Sequence, residues 1–96
     1  MIEVRKTDQF ANWIDGLRDT RARARIQARI KRLADGNPGD VKPVGKGLSE
    51  MRIDHGPGYR VYFLRRGAEL IILLAGGDKG SQAKDIRRAK SIAEEI

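Results

Sequence analysis

The sequence predicts an α+β fold in the order β-α-α-β-β-β-α, an antiparallel twisted sheet packed by an N-terminal helical hairpin and a C-terminal helix. Three observations carry this. Residues 48–63, LSEMRIDHGPGYRVYF, read as two strands around a tight turn. Two earlier stretches repeat apolar residues at helical spacing, and Glu69–Ala75 (ELIILLA) is a continuous apolar run.

Met1–Arg5 alternates Ile2 and Val4 with charged residues, which predicts a first strand. Thr7 or Asp8 can cap a helix whose Phe10, Trp13, Ile14 and Leu17 fall at i, i+3, i+4 and i+7, one apolar stripe facing a core. Trp13 reads as an anchor of that stripe. Asp19-Thr20 is a second capping site, so a second helix runs from about Arg21 to Ala34 with Ala22, Ile26, Ile30 and Leu33 inward. The short connector makes the pair an antiparallel hairpin.

The rest of that second helix is basic, with Arg25, Arg29 and Arg32 on it. This face reads either as solvated surface or as a contact for nucleic-acid phosphates or an acidic partner. Residues 35–40 carry glycine and proline stop signals, and residues 41–47 are too broken for a strand. Lys46, between glycines, could approach a phosphate, though no phosphate-loop pattern surrounds it.

In the central hairpin, Met51 and Ile53 alternate with Glu50, Arg52 and Asp54. Tyr59, Val61 and Phe63 share one face of the next strand, and Arg60, Tyr62 and Leu64 the other. Gly56-Pro57-Gly58 supplies the turn. Antiparallel pairing brings Arg52 and Arg60 to one sheet face, a costly meeting of like charges unless something anionic sits between them. An ion pair of Arg52 with Glu50 or Asp54 is the plainer reading. The ELIILLA strand reads as a sheet centre covered on both faces, followed by a flexible loop at Gly76–Gly80. Ser81 can then cap a last helix bearing Ile86, Ala89, Ala93 and Ile96.

Ninety-six residues predict one small domain, residues 1–96. With 20 Lys+Arg against 13 Asp+Glu, a net charge of +7 favours a polyanionic or acidic partner. No cysteine and a single histidine leave no thiol nucleophile and no metal-site spacing, so neither metal nor cofactor is expected. The longest apolar run falls far short of the roughly 20 residues of a membrane helix. No signal-peptide core opens the chain, and the expected location is the cytoplasm.

Residues 49–63 (SEMRIDHGPGYRVYF) and the later LLAGGDKGSQAKDI strongly resemble the RelE/ParE superfamily of bacterial toxins, closest to its HigB-like addiction module killer branch. The likeness covers nearly the whole chain. It implies a RelE-like fold and the toxin of a type II toxin–antitoxin system, a ribosome-dependent mRNA endonuclease (mRNA interferase) working without metal. The alternative within the superfamily is a ParE-like gyrase inhibitor that acts by binding. The resemblance implies as partners the ribosome with its mRNA and a cognate antitoxin, a helix-turn-helix, HigA-like protein in a hetero-oligomeric complex.

Carried over by position, Arg60 matches an arginine of the family's YR strand, Arg52 that of the preceding strand, and Lys79 a basic residue before the last helix. RelE proteins have a tyrosine near Asp85 that this chain lacks. Some HigB relatives use histidine, which makes His55 the candidate.

Metal-free RNA cleavage needs a base for the 2′-OH, cations for the dianionic phosphorane and an acid for the leaving oxygen. Arg52, Arg60 and Lys79 suit the second role, since an arginine fork can take two phosphate oxygens at once. Histidine is the side-chain type suited to moving a proton near neutral pH, so His55 could serve in that role. Tyr62 reads as hairpin packing or as a base-stacking surface, and Lys84 joins Lys46, Arg25, Arg29 and Arg32 as candidate contacts to RNA or ribosome.

Overall fold

The computed structural model describes residues 2–96; Met1, the first residue of the predicted opening strand, lies outside them. The chain runs β1 (Glu3–Lys6), α1 (Asp8–Asp15), α2 (Thr20–Ala34), β2 (Val41–Gly45), β3 (Leu48–Ile53), β4 (Tyr59–Arg66), β5 (Leu70–Asp78), a 3-10 turn (Lys79–Ser81) and α3 (Gln82–Glu94). One mixed sheet has the order β1-β5-β4-β3-β2. No helix among the described residues is long and apolar enough to cross a membrane.

Both early helices start where the sequence puts their caps. Thr7 Oγ1 accepts from the Phe10 N–H at 3.1 Å and donates to the Leu74 carbonyl at 2.7 Å, joining α1 to β5. Asp19 accepts from the N–H groups of Arg21 and Ala22 at 3.0 and 3.1 Å. Phe10 and Ile14 of α1 and Ile26, Ile30 and Leu33 of α2 pack on Met51, Ile53, Val61, Phe63, Ile71 and Leu73. The opposite face of the sheet buries Leu48, Tyr62, Leu74 and Ala75 under Ala89 and Ile92 of α3. Two apolar layers thus sandwich the sheet, and the polar end of the second is where the candidate site forms.

Three expectations are corrected. The sheet is not wholly antiparallel: β1 runs parallel to β5, with Glu3 opposite Leu70 and Lys6 opposite Leu73. The α1–α2 connection crosses one face from the β1 edge to the β2 edge, and three hairpins return the chain beside β1 in its own direction. Residues 41–45 are a strand, paired antiparallel with β3. Pro43 is admissible because β2 is an edge strand, and Lys46 at φ 53° between Gly45 and Gly47 closes the tight turn.

The third correction concerns Gly76 and Gly77, which belong to β5 and not to a loop. A register shift between Tyr62 and Phe63 leaves Leu74 as an extra residue, so Gly76 faces α1 and Gly77 faces α3. A Cβ on Gly76 would collide with the Trp13 ring, and one on Gly77 with the Asp85 carboxylate. Gly76→Ala is therefore expected to cost about 1–3 kcal/mol through overpacking, measured as a lower urea midpoint. Ser81, the expected cap of α3, makes no cap bond to it. Its hydroxyl donates to Asp85 instead, while Asp78 caps the 3-10 turn by accepting from the Gly80 N–H at 2.8 Å.

Candidate functional site

The β3–β4 register places Arg52 directly opposite Arg60, on the face that α3 covers. Two guanidiniums so placed repel each other. Glu50, two residues along β3 and on the same face, resolves the conflict. Arg60 Nη1 donates to Glu50 Oε1 at 2.8 Å, Arg52 Nε lies 3.3 Å from the same oxygen, and Gln82 Nε2 donates to Oε2 at 2.8 Å. The Glu50 side chain is 0% exposed, that of Arg60 12% and that of Arg52 36%.

Burial alone would raise the Glu50 pKa. The Gln82 hydrogen bond and the Arg60 charge and hydrogen bond outweigh it and hold the carboxyl below its ordinary value.

Over this floor opens a cleft of about 320 Å³ lined by Asp40, Arg52, Asp54, Gly58, Arg60 and Lys79. Lys79 reaches it from the turn after β5, beside Gly58, whose φ of 82° bends the hairpin tip. Three of the four residues predicted for catalysis therefore converge. Counting Glu50 beneath and Asp40 and Asp54 on the wall, three carboxylates meet three cations. The cleft is thus a directed set of donors and not a net positive basin. Neither histidine nor tyrosine lines it, so the side chains there that could accept a proton are Asp40 and Asp54. No group of His, Asp or Glu able to hold a metal ion occurs among the described residues.

His55, the fourth, does not join the cluster. Its Nε2 stands 3.3 Å from Asp19 Oδ2, so the hairpin tip carries it to the start of α2. The Ala22 N–H, working against desolvation, and His55 itself keep the Asp19 carboxyl below its usual value.

A second groove of about 360 Å³ shares Ile53 and Asp54 with the cleft and is lined by Arg25, Arg29 and Arg32. The basic face of α2 thus adjoins the Arg52–Arg60 pair. Arg29 is also a brace: Nη1 donates to the Arg52 carbonyl at 2.6 Å and Nη2 to that of Pro38 at 3.0 Å.

The remaining expected contacts lie elsewhere. Lys46 sits at the β2–β3 turn and pairs with Glu94 at 3.6 Å. Lys84 is exposed on α3 outside the cleft. For Tyr62 the packing reading stands and the base-stacking one is corrected: at 0% exposure beneath α3 it offers no surface to a base. Its hydroxyl is buried without a hydrogen-bond partner of good geometry. Burial first, and then the Glu50 charge, raises its pKa and keeps it protonated. Because an unsatisfied buried hydroxyl costs about 1–3 kcal/mol, Tyr62→Phe is expected to be at least as stable as the native chain. Chemical denaturation checks this; a clear loss would mean that the hydroxyl is bonded to Glu50.

Sequence reading missed Glu50 as a shared partner, Gln82 and Asp40. The signal for Glu50 was its position two residues before Arg52 on one strand, which fixes both on the same face. A larger cavity of about 510 Å³, lined by Arg66, Leu70, Ile72 and Ile92 among others, lies at the far end of β4 and takes no part in the cluster.

The family model described as "Phage derived protein Gp49-like (DUF891)" matches residues 12–96, which take in the second half of α1 and every element after it. A Haemophilus influenzae protein described as uncharacterized is 50% identical over 95 residues, covering 99% of this chain and 96% of that protein. The chain belongs to the phage-derived Gp49-like family, a RelE/toxin-like family.

Proposed function

We propose that this chain is the toxin of a type II toxin–antitoxin pair, a RelE-like fold of the HigB-like branch. In this reading it is a ribosome-dependent mRNA endonuclease that halts translation in the cytoplasm until an antitoxin silences it. The observation that carries the reading is the convergence of Arg52, Arg60 and Lys79 on one cleft. Cations aimed at a single point stabilise the extra charge of a phosphorane, and they do so most where water is excluded. Equipment for proton transfer is thinner, limited on the cleft to Asp40 and Asp54. An enzyme of that kind gains from a substrate held in place by a larger assembly, since orientation supplies roughly 7–11 kcal/mol of a barrier. The ribosome with its message is that assembly.

Arg25, Arg29 and Arg32, beside the cleft, and Lys46 and Lys84, away from it, are the surface cations offered to ribosomal RNA. A helix-turn-helix antitoxin of the HigA-like kind, in a hetero-oligomeric complex, would cover them with acidic groups.

The lack of histidine or tyrosine on the cleft favours a second reading, a ParE-like gyrase inhibitor that binds without cutting. Primer extension on RNA from cells expressing the chain separates the two. Codon-phased cuts in translated messages support the nuclease. Intact transcripts with trapped gyrase–DNA complexes overturn it in favour of the inhibitor.

A further inference from the structure

Glu50 lies under the cleft and not in it, fully buried, so it cannot touch a substrate. We propose that Glu50 is a positioning residue: with Gln82 it fixes the guanidinium of Arg60 and leaves the outer nitrogens of Arg52 free to take an anion. The inference rests on the nuclease reading for the reaction it serves.

The geometry divides labour between the two arginines. Both Glu50 oxygens are committed, Oε1 to Arg60 Nη1 at 2.8 Å and Oε2 to Gln82 Nε2 at 2.8 Å. A carboxylate held at both ends does not turn, so the remaining N–H groups of Arg60 keep one direction. Arg52 Nε, the nitrogen nearest its backbone, stands 3.3 Å from the same Oε1 without a hydrogen bond of good geometry. Its two terminal nitrogens make no other bond within the described residues and belong to the more exposed of the two side chains. Arg60 is the fixed pillar and Arg52 the reaching arm. Without the charge of Glu50, like charges at directly paired positions would splay apart, and the donors would have to reorganise when the phosphorane forms.

Simple charge neutralisation, the other use of a buried carboxylate, makes the opposite prediction. If Glu50 only dilutes the positive charge, removing it should strengthen phosphate binding and raise the rate together. A positioning residue separates the two.

The full chain and its Glu50→Gln and Gln82→Ala variants are compared in two assays. One titrates inorganic phosphate while following the arginine Nε–H signals by NMR; the other measures cleavage of ribosome-bound message at saturation. In the native chain the Arg60 signal is expected to be sharp before phosphate is added, and that of Arg52 to sharpen only as phosphate binds. In Glu50→Gln, phosphate is expected to bind at least as tightly while the saturated rate falls about 10²-fold. Gln82→Ala, which keeps the charge and frees Oε2, gives the same split in weaker form and serves if Glu50→Gln does not fold. An unchanged or raised rate in a folded variant, or an Arg60 signal as broad as that of Arg52 before phosphate is added, overturns the proposal. If the native chain cuts no message, the nuclease reading falls instead. The Arg60 signal then decides alone: its broadening in Gln82→Ala supports the positioning role, and no change overturns it.

Discussion

Replacing Arg60 with alanine is expected to lower message cleavage by about 10²–10³, the usual loss when one preorganised donor to a developing anion is removed. Growth arrest on expression should disappear with it. The substitution also strips Glu50 of its closer guanidinium, so the measurement pairs a growth assay with a denaturation curve to separate lost chemistry from lost fold. Arg60→Lys sharpens the comparison. It keeps the charge but has no planar fork, so a nuclease that uses two nitrogens at once stays impaired while the Glu50 pair is partly restored. Lys79→Ala gives the reference case. Lys79 is exposed and outside both cores, so its loss should lower cleavage without moving the unfolding midpoint.

The second large effect is on stability. Glu50→Gln retains a hydrogen-bonding group of the same shape but leaves two guanidiniums facing each other, and unpairing a buried ion pair costs about 3 kcal/mol. The pH dependence has a definite sign. The native pKa of Glu50 lies below its ordinary 4.5. Its contribution is therefore complete above that value and is lost as pH falls through the lower folded one. The native chain and the variant should differ most near neutrality and converge in acid as the carboxyl takes up its proton. Urea midpoints across that range measure it, and a gap that stays constant into acid would remove Glu50 as the titrating group.

Much of the layout was legible because local rules decide it. The caps at Thr7 and Asp19, the apolar stripes of α1 and α2, and the Gly56-Pro57-Gly58 turn are set by neighbours a few residues away. Arg52 and Arg60 could be brought together from alternation and hairpin register alone.

Other features depend on partners far along the chain. β2 is a strand because β3 lies beside it, despite Pro43 and Gly45. Gly76 and Gly77 look like loop residues until Trp13 and Asp85 are known to press on them from opposite faces. The same gap explains Tyr62 and Glu50. A two-residue period tells which side chains share a face but not which face a later helix will cover, and α3 covers this one. His55, the candidate that the resemblance supplied, lies instead beside Asp19, a partner 36 residues away that the sequence does not announce.

The parallel pairing of β1 with β5 also bears on how the chain is made. Glu3–Lys6 leaves the ribosome well before its hydrogen-bonding neighbours Leu70–Leu73. Until then one flank of the growing sheet stays open, and closing so long a loop makes this a late step in folding. A newly made chain therefore cannot dock β1 until β5 has been made.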